Sequence, residues 1–141
     1  MALEFLKQLF RIPSSSARSL QGKSILVIDD GEVERKIYSN ALQSVGCQVR
    51  TCIDGTTGLT TAVSESFDLI LLDYMLPDTN GIEVCRKLKA DVRTRDIPVI
   101  FLTGSMKPEG VITCYDAGAD CYLTKPISSV TLIQQVRSAL L

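Results

Sequence analysis

Acidic, hydroxyl and ammonium side chains follow short apolar runs at several places in this sequence. Asp29 and Asp30 follow SILVI, Asp73 follows LILL, Thr103 follows VIFL, and Lys125 with Pro126 follows CYLT. If the runs ending at Asp29-Asp30 and at Asp73 lie side by side, three carboxylates share one cleft. Like charges so close raise one another's pKa, and a partly buried group of them stays ionised only when protons or a cation compensate. A hard cation is the simplest remedy. Oxygen ligands with no Cys or His among them suit Mg²⁺ or Mn²⁺ rather than zinc, and Mg²⁺ takes one or two carboxylates, keeps waters and recruits phosphate. The pattern points to phosphoryl chemistry. Any one of these aspartates alone is an ordinary turn or cap residue. The weight lies in the ordered set of acid pair, acid, hydroxyl and lysine, each after its own apolar run.

Composition narrows what else can take part. The 141 residues include no histidine, which removes His general bases, His metal ligands and a phosphohistidine on this chain. With 15 basic and 16 acidic residues the net charge is -1, lacking the basic excess of a nucleic-acid binder, so no direct nucleic-acid binding is expected. A chain with 45% hydrophobic and 22% charged residues is expected to form one ordinary domain with a real core. Cys47, Cys52, Cys85, Cys114 and Cys121 are odd in number and contain no C-x-x-C pair, so they read as small hydrophobes in a reducing compartment. Glu4, Lys7 and Arg11 interrupt the N-terminal apolar residues, which excludes a secretory signal. No later run reaches the roughly 18 apolar residues of a membrane span. A cytoplasmic location is expected.

A scaffold has to bring the ends of these runs together. Apolar runs alternate with helical patterns from Lys23 onward, which predicts βα units around a parallel sheet. Strands are predicted over 24–28, 48–52, 68–72, 99–102 and 121–123. The first, third and fourth are nearly continuous aliphatic runs and belong in the middle of the sheet. Val33, Ile37, Ala41 and Val45 recur every fourth residue with Leu42 beside them, predicting a helix that Gly46 stops. A second helix is predicted over 57–64, and Ile82, Cys85 and Leu88 mark a third. A fourth runs from about 108 to 116. Leu132, Ile133, Val136 and Leu140 mark the last, capped by Ser128 or Ser129. Residues 1–22 read as an extension, a short amphipathic helix (Leu3, Phe5, Leu6, Leu9, Phe10, Ile12) followed by a Ser-rich linker from Pro13. Packing on its own domain, docking on a partner and interfacial anchoring all fit this segment. In open parallel sheets ligands bind beyond the carboxyl ends of the strands, where these polar residues fall.

Five segments, in this order and at these separations, carry a resemblance: ILVIDD, CIDG around Asp54-Gly55, LILLDYMLPDTNG around Asp73, VIFLTG around Thr103 and CYLTKP around Lys125. Over residues 23–141 the chain resembles the receiver domain of two-component response regulators, of the chemotaxis-type, single-domain kind. The resemblance implies a flavodoxin-like (βα)5 three-layer sandwich with a parallel sheet of order 2-1-3-4-5. It implies that Asp73 accepts a phosphoryl group from a sensor histidine kinase or His phosphotransfer protein. The domain is then a signalling switch that assists only its own phosphorylation and dephosphorylation, and is not an enzyme in the ordinary sense.

By the same resemblance, Asp30 and Asp73 bind Mg²⁺ (or Mn²⁺) directly, Asp29 through water or partly, and Met75 through its main-chain carbonyl, the Met75 side chain packing or lining the entrance. Lys125 pairs with a phosphoryl oxygen or, before phosphorylation, with Asp73, and a cis peptide is implied between Lys125 and Pro126. Thr103 is the switch hydroxyl and Tyr122 the aromatic that turns inward after it. Gly104 leaves room beside the phosphoryl group, while Met75 and Ser105 tune its hydrolysis. A downstream protein docks in trans on helix four, strand five and helix five, and a homodimer is compatible with the sequence. Gly31 departs from the polar residue that many receivers carry after the acid pair.

A Mg²⁺-dependent phosphohydrolase carries Asp-x-Asp after its first strand and a cap over its substrate; here the acids are adjacent and no insertion is long enough for a cap. A flavin site of flavodoxin type needs a phosphate loop where these acids stand. A receiver-fold module that binds regardless of phosphate, and a receiver fragment of a larger regulator or hybrid kinase, are both compatible with the sequence.

Overall fold

The aliphatic runs become strands because helices cover them on both sides, which leaves no solvated face to alternate toward. In the computed structural model, which describes residues 20–104 and 107–141, the strands are β1 (Ser24–Ile28), β2 (Gln48–Cys52), β3 (Leu69–Asp73), β4 (Val99–Thr103) and β5 (Cys121–Thr124). All pair in parallel, in the order β2-β1-β3-β4-β5. Every residue of β3 and β4 is buried, whereas the edge strands β2 and β5 carry mixed patterns. The order and the five-helix complement are as the resemblance implied. Between the strands lie α1 (Glu32–Gln43), α2 (Gly55–Ser64), α3 (Gly81–Ala90) and α4 (Pro108–Asp116), with α5 (Ser129–Leu140) following β5.

The sheet separates two cores. Leu26, Ile28, Ile70, Leu72 and Phe101 point to one side, where Ala62, Val84, Cys85, Leu88 and Cys114 of α2, α3 and α4 meet them. Ile25, Val27, Leu69, Leu71, Ile100 and Leu102 point to the other, against Tyr38 and Leu42 of α1 and Leu132 and Val136 of α5. Each large aliphatic side chain so buried contributes on the order of 1.5–3 kcal/mol. Leu20 is also fully buried, and its carbonyl accepts from the Cys47 thiol at 3.6 Å, so the packed unit includes the residues just before β1. The helix expected over the N-terminal segment lies outside the described residues.

Three strand ends differ from expectation in a way that matters for the site. The ladder runs through Asp73, Thr103 and Thr124, so these polar residues are the last rungs of β3, β4 and β5. At the other end, the Asp68 carboxylate accepts from the Ser24 amide at 2.8 Å, and β3 begins at Leu69.

The buried face of α1 differs from the expected stripe. Of the stripe Val33, Ile37, Ala41 and Val45, Val33 is 66% and Ile37 44% exposed, while Tyr38, Ala41 and Leu42 are buried. A strict four-residue repeat advances about 40° per step around a helix of 3.6 residues per turn, so its first members drift off the face that its later members share. The spacing Tyr38, Ala41, Leu42, Val45 follows the helix period. Helix α2 starts at Gly55, ahead of the expected 57, because the Asp54 carboxylate accepts from the Thr57 amide at 2.7 Å as its cap. Gly46 adopts φ +92, the left-handed turn expected after α1, and Ser128 caps α5. No disulfide joins the cysteines, four of which are buried and one, Cys121, partly so. Among the described residues no helix is long and apolar enough to cross a membrane.

Candidate functional site

Register builds the site. Ile28 lies opposite both Cys52 and Leu72, so β1 and β3 end level, and the residues that follow Ile28 come beside Asp73. The Asp29 amide continues the ladder to Cys52 carbonyl at 3.0 Å, which points its side chain inward; Asp29 is 1% exposed. Its Oδ1 accepts from the Gly31 amide at 2.8 Å, and Arg35 Nη1 donates to its carbonyl at 2.9 Å, fixing the first turn of α1. Asp30 is exposed and Asp73 buried, and one carboxylate oxygen from each of Asp29, Asp30 and Asp73 lies within 4.8 Å of the others.

Lys125 enters this group from β5. Its amide donates to the Thr103 carbonyl at 2.6 Å, and the Lys125–Pro126 peptide is cis, as the resemblance implied. The ammonium lies 2.9 Å from Asp29 Oδ2 and 3.5 Å from Asp73 Oδ2. Three carboxylates against one ammonium leave the cleft short of positive charge. The all-oxygen set, with donors already gathered and one of them exposed, fits a small hard dication.

Electrostatics follow from that geometry. Burial, reinforced by the negative charge of Asp29, pushes the Asp73 carboxyl up to about 6, against the pull of Lys125. Burial works against the Lys125 charge, but the hydrogen bond to Asp29 and the charges of Asp29 and Asp73 outweigh it and raise its pKa. Burial also raises Tyr38 to about 12, opposed by Lys125 and aided by Asp29, so its phenol stays neutral. Tyr38 shares with Glu34, Ile37, Lys125, Pro126 and Ile127 a cavity of about 320 Å³ beside the cluster.

The β3–α3 loop closes another side. Met75 N lies 3.4 Å from Asp73 Oδ1. Met75 also pairs with Asn80 in an antiparallel bridge, and the Leu76 amide donates to the Thr79 carbonyl at 3.1 Å. This holds the Met75 main chain next to Asp73. The Met75 side chain is 69% exposed, so of the two expectations, packing or lining the entrance, it does not meet the first. Gly81 opens α3 against the Asp73 backbone: its amide donates to Tyr74 carbonyl at 2.6 Å, and a Cβ there would meet the Asp73 carbonyl at 2.5 Å. Asp78 ties this loop to α2 by accepting from the Gly55 and Thr56 amides and the Thr56 hydroxyl. Those bonds, the Thr56 hydroxyl first, hold its carboxyl down at about 2.

Thr103, 2% exposed, ends β4 next to the Leu102 that faces Asp73. Gly104 is exposed, and among the described residues a Cβ there would meet nothing within 4 Å, so the space beside it is open. Tyr122 packs partly buried on the α2–α4 core, its ring edge-on to Tyr115. Ser105 lies outside the described residues. The structure thus gathers Asp29, Asp30, Asp73, Lys125 and the Met75 main chain at one sheet edge, with Thr103 ending the adjacent strand. Sequence reading missed Tyr38, Asp78 and Gly81. For Tyr38 the signal was present in the helix-period spacing given above.

The profile of the response regulator receiver domain matches residues 25–137. The DNA-binding dual master transcriptional regulator RpaA of Synechocystis sp. is 41% identical over 116 residues, covering 82% of this chain and 48% of that protein. The chain spans about half the length of that regulator. Chemotaxis response regulator CheY4 of Vibrio cholerae superposes with a TM-score of 0.81 at 28% identity, covering 85% of this chain and all of that one (100%). The receiver domain of sensor histidine kinase PA1611 of Pseudomonas aeruginosa, which has a magnesium ion coordinated in its active-site cleft, superposes with a TM-score of 0.78 at 28% identity over 84% of this chain and 98% of its own. With its five-stranded order, its acidic edge and these likenesses together, the chain belongs to the receiver domain family of two-component response regulators, signalling switches of CheY-like fold.

Proposed function

We propose that residues 23–141 accept a phosphoryl group on Asp73 from the phosphohistidine of a sensor histidine kinase or His phosphotransfer protein, in a reaction that requires Mg²⁺ (or Mn²⁺). The observation that carries this is the buried Asp73 carboxylate, 3.5 Å from the Lys125 ammonium and clustered with Asp29 and Asp30. An Asp73 oxygen attacks phosphorus in line with the imidazole nitrogen; the P–O bond forms as the P–N bond breaks, and the donor imidazole leaves carrying the proton it held. Asp30, Asp73 and the Met75 carbonyl would hold the metal, with Asp29 through water. Bound there, the ion neutralises charge on the transferred oxygens. Lys125 gives up Asp29 and pairs with a phosphoryl oxygen. The added group brings about 1.5 to 2 negative charges and three acceptors, which draw the Thr103 hydroxyl and free the space it filled. Tyr122 then turns inward and the α4-β5-α5 surface changes.

In this reading a downstream protein takes the output in trans from that surface, where Ile112, Tyr115 and Val130 are exposed. Likeness to the whole of CheY4 supports single-domain action, by a packed unit that takes in Leu20 ahead of β1. A second reading, the receiver portion of a larger regulator, is favoured by the half-length match to RpaA. Both share the chemistry. A crystal grown with Mg²⁺ and beryllofluoride tests that chemistry. The expected result is beryllofluoride on Asp73 with the metal on Asp30, Asp73 and the Met75 carbonyl, and an empty cleft with its acids splayed apart contradicts it.

A further inference from the structure

Tyr122 has an aromatic partner that the switch described above does not use. The Tyr115 and Tyr122 rings stand edge to face, centroids 6.1 Å apart at 78°. That is within the favoured range for an aromatic pair, in which the positive edge of one ring meets the negative face of the other. Tyr115 is 46% exposed, so the core does not require its ring. Helix α4 spans nine residues, of which Cys114 alone is buried. The tyrosine pair therefore adds a contact between α4 and β5 to those that Cys114, Ala117 and Ala119 make in the core.

We propose that Tyr115 is a positioning residue for Tyr122, holding its ring against α4 in the resting state and so setting the balance of the switch. This rests on Tyr122 being the aromatic that turns inward. When it turns, the edge-to-face contact is lost, and the switch must overcome that loss. The same loss frees Tyr115 and loosens α4, carrying the change from Thr103 through Tyr122 to an exposed helix. Removing the Tyr115 ring lowers the cost of the active state without touching the phosphoryl site. The activated form then gains on the resting form by about 2- to 12-fold, the usual worth of such a pair.

A double-mutant cycle tests this, read as the beryllofluoride concentration that half-saturates the protein in Mg²⁺, followed by ¹⁹F NMR of the bound species. The four proteins are wild type, Tyr115→Leu, Tyr122→Ala and the double variant, with Tyr115→Phe as the ring-preserving control. Circular dichroism melting verifies that each folds, and Tyr115→Gln replaces Leu if the new surface aggregates. The expected result is a midpoint about 2- to 12-fold lower for Tyr115→Leu, a wild-type midpoint for Tyr115→Phe, and no effect of Tyr115→Leu in the Tyr122→Ala background. An unmoved midpoint, or the same gain in the Tyr122→Ala background, overturns the proposal while leaving phosphoryl acceptance intact. A wild type that takes up no beryllofluoride overturns the phosphoryl-acceptor reading and this inference with it.

Discussion

Lys125 is bound to Asp29 more closely than to Asp73, 2.9 Å against 3.5 Å. Both Asp29 oxygens are engaged, Oδ1 by the Gly31 amide and Oδ2 by the ammonium. Asp73 is left under-compensated, and in the proposed transfer a phosphoryl group arriving on it would draw the lysine across. On that proposal one cation serves both forms by changing carboxylates.

Lys125→Ala should separate these roles. Without the ammonium, transfer from acetyl phosphate slows by about 100-fold, the scale of losing one positioned charge on a transferring group. Mg²⁺ binds more tightly, because the acidic cluster loses its internal counter-ion. Stopped-flow phosphorylation and calorimetric titration read the two effects, and the opposite signs distinguish loss of charge from general damage.

Asp73 makes the metal-free protein's stability depend on pH. Its folded pKa of about 6 lies above the ordinary carboxyl value of 3.8, so the folded state holds the proton more readily than the unfolded chain. That contribution is fully present below about pH 4 and is lost as pH rises through 6. Asp73→Asn should thus be more stable than wild type at pH 7, by about 1–3 kcal/mol, and equal to it near pH 4. Urea denaturation in a chelator across this range checks the sign.

Asp29 and Asp30 are adjacent in sequence and opposite in expected effect. Asp29→Ala leaves the Gly31 amide unpaired and the partly buried Lys125 ammonium with only its longer contact to Asp73, and should cost about 2 kcal/mol even without metal. Asp30→Asn, at an exposed position, should leave metal-free melting within about 0.5 kcal/mol of wild type and remove most of the stabilisation that Mg²⁺ adds. Thermal melts with and without Mg²⁺ separate the two.

At Gly81 the chain tolerates no side chain. A methyl group there would press on the Asp73 carbonyl at 2.5 Å and on the Phe101 ring at 2.7 Å. Gly81→Ala should lose about 2 kcal/mol of stability and slow phosphorylation of Asp73, while Gly104→Ala, facing open space, changes stability by less than about 0.5 kcal/mol. Denaturation and acetyl phosphate kinetics on the pair check this contrast.

The middle strands were legible in the sequence because β1, β3 and β4 are covered on both faces and their aliphatic runs have no other use. The acid pair, Asp73, Thr103 and Lys125 were legible because each polar residue breaks such a run at its carboxyl end. The face of α1 was misread because an every-fourth-residue stripe looks helical on paper yet winds away from one side. Asp78 and Gly81 stand in the segment LILLDYMLPDTNG that carries the resemblance, but their roles were not legible. Their roles arise from loops that meet only after folding, Asp78 at the start of α2 and Gly81 against the backbone of β3. Side chains that bridge distant segments leave no periodic trace.

Acetyl phosphate bypasses any protein donor, so it probes the acceptor alone. Wild type and Asp73→Asn are incubated with it, with and without Mg²⁺, and weighed intact by mass spectrometry. One labile phosphoryl group on wild type, dependent on Mg²⁺ and missing from Asp73→Asn, is the predicted result. An unmodified wild type, or an equal adduct on the Asn variant, contradicts the assignment of Asp73 as the acceptor.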